Sequence, residues 1–118
     1  MAMSINEGLP LYIVHRLEQR FDLSSATVGI LGMAFKGGTD DIRSSLSYEL
    51  KRILSFKART VLCTDPYVSA DAGLRPLEEI LEAADLLVIG ASHPEYRNLG
   101  TSKPVADVWN VLGKGVLV

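Results

Sequence analysis

With 118 residues, 47% of them hydrophobic and 22% charged, the chain has the material for one globular domain with a core, and intrinsic disorder is excluded. A net charge of -2 supplies no basic field, so nucleic-acid binding has no electrostatic support. No apolar run approaches the roughly 20 residues of a membrane-spanning helix, the opening MAMSINEG is polar where a secretory signal is apolar, and a single cysteine cannot close an internal disulfide, so a reducing cytoplasm is the expected compartment.

Residues 5 to 21 are predicted to form a helix, because Leu9, Ile13, Leu17 and Phe21 recur every four residues and Val14 widens the stripe. Asn6 is the candidate cap, with Pro10 in the first turn. Residues 1–22 read either as the end of a longer linking helix or as a helix that simply packs on the domain formed by 23–118. Asp22 to Ala26 is a short polar connector, and Thr27 to Leu31 is a buried strand, continuously apolar as parallel strands are. Leu46, Leu50, Ile53 and Leu54 mark a second helix, with Lys51, Arg52 and Lys57 towards its far end. Arg59 to Thr64 is the second strand, stopped by Asp65-Pro66. A loop at 67–75, a short helix from Pro76 to Ala84 and a third strand from Asp85 to Gly90 follow. Ser92, His93, Pro94 and Glu95 turn into another short helix. Pro104 to Val108 is the fourth strand, and Val116 to Val118 is a fifth or a frayed end.

Alternating strands and helices imply an α/β fold, a Rossmann-like, doubly wound parallel sheet of four to five strands. The expected strand order is 2-1-3-4. Ligands of such sheets bind beyond the carboxyl ends of the strands where the winding reverses, which here means Gly32 to Lys36 and Gly90 to His93.

The stretch VGILGMAFKGGTDDIRSS, Val28 to Ser45, runs from strand through a glycine-rich turn into a helix, an arrangement that presents backbone N–H groups and a helix N-terminus to a phosphate. Lys36 is either a phosphate or sugar ligand or a solvated loop lysine. Arg43 is either an anion ligand or a partner of Asp40 or Asp41. Thr39, Asp40 and Asp41 read as helix caps before metal ligands. His93 reads as a general acid/base or as a structural residue capping the next helix. Cys63, inside a strand, reads as an inert core thiol. Trp109 serves packing or binding. The glycines do not fit G-x-G-x-x-G, and Asp65, the acid placed to hold a ribose, is equally a turn residue.

These residues resemble the C-terminal domain of the UDP-glucose/GDP-mannose dehydrogenase family. Leu31-Gly32, Phe35-Lys36, Thr39, Asp41, Arg43 and Ser44 or Ser45 stand in the register of its L-G-x-x-F-K…T-x-D-x-R-x-S signature. Asp65-Pro66-Tyr67, Ala84-Asp85, His93, Glu95-Tyr96 and the opening Asn6, Leu9 and Pro10 fit as well. The resemblance implies an NAD-dependent oxidation of a nucleotide sugar at C6, alcohol to carboxylate, in two hydride transfers. It implies that Phe35 and Lys36 contact a UDP- or GDP-linked substrate and that Arg43 reaches towards NAD, which is bound mainly by an N-terminal domain outside this chain. Gly32, Ser92, His93 and Trp109 would line the site. No catalytic residue is carried over, no metal is implied, and the parent is expected to be a homodimer or larger. Asp107-Val108-Trp109-Asn110 lacks the arginine that many relatives place after Asp-x, which weighs against UDP-glucose and leaves a UDP-N-acetylhexosamine or GDP-mannose. Two other readings of the chain are a non-catalytic nucleotide sensor and a purely structural or oligomerisation domain.

Overall fold

Two strands of this chain are buried along nearly their whole length, Thr27–Leu31 (β1) and Leu86–Ile89 (β3). Strands with no solvent face belong in the middle of a parallel sheet covered on both sides. The computed structural model, which describes residues 5–33, 46–68, 71–91, 93–98, 101 and 103–107, places them there. Thr60–Thr64 (β2) and Val105–Asp107 (β4) complete the sheet. Its order is β2-β1-β3-β4, with every pairing parallel, as expected. Val28 stands opposite Val61 on one side and Leu86 on the other.

Alternation along the strands divides the core between the two faces. Val28, Ile30, Leu86 and Val88 point towards two helices, Ile5–Arg20 (α1) and Leu46–Lys57 (α2), which supply Ile13, Val14, Leu17, Leu50 and Leu54. Leu31, Leu87 and Ile89 point the other way, against Ile80 and Ala84 of the short helix Leu77–Ala83 (α3) and its margin, and against Tyr96 in the 3₁₀ turn Pro94–Asn98. Ile13, Val14, Leu17, Leu50 and Leu54 of the helical stripes read from the sequence are therefore core, and Phe21 and Ile53 pack partly buried against it. An ion pair between Lys57 and Glu18 (3.3 Å) joins α1 to α2 at the surface, where such pairs contribute little.

The start of the chain differs from expectation. Asn6 is already helical and Pro10 lies inside α1 rather than in its first turn. A cap must have a non-helical backbone, so Asn6 does not fill that role. Pro10 withdraws the N–H that would otherwise bond to the Asn6 carbonyl. The connector at 22–26 is not purely polar either. It holds a 3₁₀ turn, Leu23–Ser25, that buries Leu23 while Ser24 and Ser25 donate to the Asp22 carboxylate. The expected fifth strand at 116–118 lies outside the described residues.

Gly29 shows how closely α3 lies on the sheet. A Cβ at this position would overlap Ile80 Cγ2 and stand 3.1 Å from Leu87 Cδ2 and 3.2 Å from the Ala84 Cβ. Only a residue without a side chain permits that approach. Gly29→Ala is expected to destabilise the domain by about 1–3 kcal/mol through overpacking, read as a lower urea midpoint with an unchanged m-value. An unchanged midpoint would mean that α3 yields freely.

Candidate functional site

The ends of β1, β2 and β3 leave the sheet together, where the winding reverses. The hydrogen-bond ladder runs just past the strands. Gly32 donates to the Thr64 carbonyl (2.8 Å), and Gly90 donates to the Leu31 carbonyl (2.8 Å). Gly32 has φ +94°, a backbone conformation in which an L side chain is strained, and its missing Cβ would stand 2.6 Å from the Ala91 Cβ. Ser47, fully buried at the start of α2, donates to the Gly32 carbonyl. A Cβ on Gly90 would overlap that same Ser47 hydroxyl. Two glycines and a serine thus close the gap between the strand ends and α2.

The ladder stops at Gly32, and the next N–H is met differently. Met33 donates its backbone N–H to Oδ2 of Asp65 at 2.7 Å. The same oxygen lies 2.7 Å from Nε2 of His93, and Oδ1 accepts the N–H of Tyr67 at 2.7 Å. A carboxylate can only accept, so His93 is the donor through Nε2–H. Both side chains are completely buried. The His93 ring lies between Tyr67 (centroids 4.5 Å apart) and Tyr96 (5.6 Å). Glu95 accepts from the Tyr67 hydroxyl and raises its pKa, with desolvation adding to the effect. The Tyr96 hydroxyl is buried without a hydrogen-bond partner among the described residues. Burial, followed by the nearby carboxylates of Asp65 and Glu95, pushes its pKa far up and keeps the phenol neutral.

This geometry decides between several readings. Asp65 is not a ribose ligand, since both its oxygens are engaged and its side chain has no exposure. His93 stands at the start of the following 3₁₀ turn. Its carbonyl receives Tyr96 N–H at 3.1 Å, while the imidazole is committed to Asp65. The ring is fully buried, as a structural histidine is. Cys63 is buried beneath α2, and desolvation raises its pKa to about 11, as an inert thiol requires. Asp107, at the end of β4, is buried too. No group of three or more His, Cys, Asp or Glu that could hold a metal occurs among the described residues. Of the residues expected to line the site, Gly32 follows β1 directly and His93 stands beyond the end of β3. Phe35, Lys36, Arg43, Ser92 and Trp109, with Thr39, Asp40 and Asp41, lie outside the described residues. The role of Asp65 was not foreseen. Its signal is an Asp-Pro directly after β2 and a His-Pro at the start of the 3₁₀ turn that follows β3.

Residues 29–114 match the UDP-glucose/GDP-mannose dehydrogenase family, UDP binding domain. The chain belongs to this family. It is 31% identical over 121 residues to the UDP-N-acetyl-D-mannosamine dehydrogenase of Pyrococcus horikoshii, covering 98% of this chain and 27% of that protein. The structure titled as the UDP-D-ManNAc dehydrogenase of the same organism superimposes with a TM-score of 0.78 at 30% identity, over 96% of this chain and 30% of the other. A second, the UDP-N-acetyl-mannosamine dehydrogenase of Staphylococcus aureus, superimposes with a TM-score of 0.75 at 29% identity, over 91% and 28%. The chain spans about a quarter of the length of the curated relatives it matches.

Two measurements check the chemistry around β2. Cys63 is expected to resist a thiol reagent at pH 8 in the native protein and to react stoichiometrically in denaturant. Prompt native labelling would contradict its burial. Asp71 accepts from the Tyr48 hydroxyl (2.7 Å) and the Gly73 N–H (2.9 Å), which lower its pKa below 3.8, Tyr48 most. A depressed folded-state pKa adds stability above the unfolded value that is lost as pH falls through the folded one. Asp71→Asn is therefore expected to lower stability at pH 7 and to shrink the loss between pH 5 and pH 2. Parallel stability–pH curves for wild type and variant would remove Asp71 from the account.

Proposed function

We propose that this chain is the nucleotide-sugar-binding domain at the C-terminal end of an NAD-dependent UDP-sugar 6-dehydrogenase. That enzyme would oxidise the C6 alcohol of the sugar to a carboxylate in two hydride transfers. The observation that carries the reading is the family match over residues 29–114, together with the strand ends converging at the winding reversal. In this reading Phe35 and Lys36, just beyond Met33, contact the substrate, and Gly32, Ser92 and Trp109 line the site. Residues 1–22 are the end of a helix that links the domain to the rest of the parent. The described residues do not fit a dinucleotide site of their own, because the acid after β2 is buried and fully engaged. NAD is accordingly assigned to the remainder of the parent, with Arg43 reaching towards it, and the domain alone is expected to be catalytically silent.

The favoured sugar is a UDP-N-acetylhexosamine. Trp109 stands where an arginine would favour UDP-glucose, and several relatives of this chain are named as UDP-N-acetyl-D-mannosamine dehydrogenases.

Calorimetric titration of the chain with UDP, GDP and NAD tests the proposal. UDP is expected to bind, GDP more weakly and NAD negligibly. Lys36→Ala should weaken UDP by roughly ten- to hundred-fold, the worth of a hydrogen bond to a charged group at about 1.5–3 kcal/mol. Preference for GDP would change the substrate class, and binding of NAD without UDP would overturn the assignment.

A further inference from the structure

We infer that His93 is a positioning residue for the nucleotide site: acting through Asp65, it fixes the first peptide of the loop that leaves β1, and thereby the ligand affinity of that loop. This rests on the nucleotide-sugar reading for its functional consequence, but its structural content stands alone.

Asp65 follows β2 and His93 follows β3, and these strands are not neighbours; β1 runs between them. Adjacent strands are about 4.8 Å apart, so the outer two are separated by roughly 9.6 Å. The Asp65 carboxylate and the His93 ring bridge that distance over the end of β1, and Met33 N–H bonds to the very oxygen on which they meet. The clasp takes over where the backbone ladder ends, at Met33, two residues before Phe35 in the sequence.

Stability alone does not account for such a pair. Buried polar or ionic pairs are often no more stabilising than apolar residues of the same volume. What the pair adds is direction. Tyr67 N–H holds Oδ1, His93 holds Oδ2 from the opposite side, and the oxygen is left aimed at the Met33 peptide. The flanking Tyr67 and Tyr96 rings restrict rotation of the imidazole. Remove the His93 donor and Asp65 keeps its burial but loses the contact that orients Oδ2.

The test compares wild type, His93→Phe and His93→Gln in this chain by amide-resolved NMR and UDP calorimetry. Phe keeps the ring between the tyrosines without the donor, and Gln keeps a donor without the ring. In wild type a slowly exchanging His93 Nε2–H resonance is expected. In His93→Phe the Met33 amide should shift and exchange at least tenfold faster, amide protection of β1 and α2 should persist, and UDP affinity should fall tenfold or more. His93→Gln should recover most of both changes. An unmoved Met33 amide with UDP affinity within twofold of wild type would overturn the inference, as would failure of His93→Gln to recover either one. Should His93→Phe not fold, the wild-type Nε2–H decides, and its rapid exchange would count against the clasp. If wild type binds no UDP, the nucleotide-sugar reading fails by itself, and the Met33 amide still reports on the clasp.

Discussion

A carboxylate shut away from water must be given donors, and the way Asp65 obtains its own organises the functional end of this domain. Donors among the described residues come from the ends of three successive segments: the Met33 peptide after β1, the Tyr67 peptide after β2, and the His93 ring after β3. A parallel sheet gives no hydrogen-bonding reason for its strands to stay together once they have turned outward. Here one side chain supplies that reason, and the loops begin from fixed positions rather than from the loose end of a ladder.

The neighbouring contacts are consistent with this arrangement. Gly32 and Gly90 have no Cβ because Ala91 and Ser47 occupy that space. Ser47 joins the first turn of α2 to the Gly32 carbonyl, so the helix that follows the loop is tied to the strand that precedes it. On the opposite face the closeness of α3 depends on Gly29 in the same way. Small residues occur in this chain where elements cross, and larger apolar residues fill the spaces between crossings.

The fold was legible in the sequence because its determinants are local and repetitive. The unbroken apolar runs of β1 and β3 announce central strands, and Leu50 and Leu54 announce the buried stripe of α2. Alternation of the two element types leaves few topologies. The helix spans Ile5–Arg20, close to the 5–21 read from its stripe, but Asn6 and Pro10 suit a helix beginning as residue types while the backbone at Asn6 is already helical. The clasp was not legible for a different reason. Asp65-Pro66 reads as a stop and His93-Pro94 as a turn, and each is one. That the two side chains meet follows only from both strands flanking β1, a relation between elements that no window of sequence contains. Among the residues carried by the family signature, Gly32 is located here, whereas Phe35, Lys36 and Arg43 lie outside the described residues.

The pairing register also bears on assembly. Val28 meets Val61 and Leu86, so β1 can join β2 through the intervening α2 well before the more distant partner is available, and loop closure favours the shorter span. At that stage Asp65 stands at the end of a two-stranded, half-built sheet beside the Met33 and Tyr67 peptides. Its imidazole partner arrives with the residues that follow β3. The end of the domain where β1, β2 and β3 meet is thus completed only once β3 is in place, and a chain cut short before residue 93 would lack the imidazole that closes on Asp65.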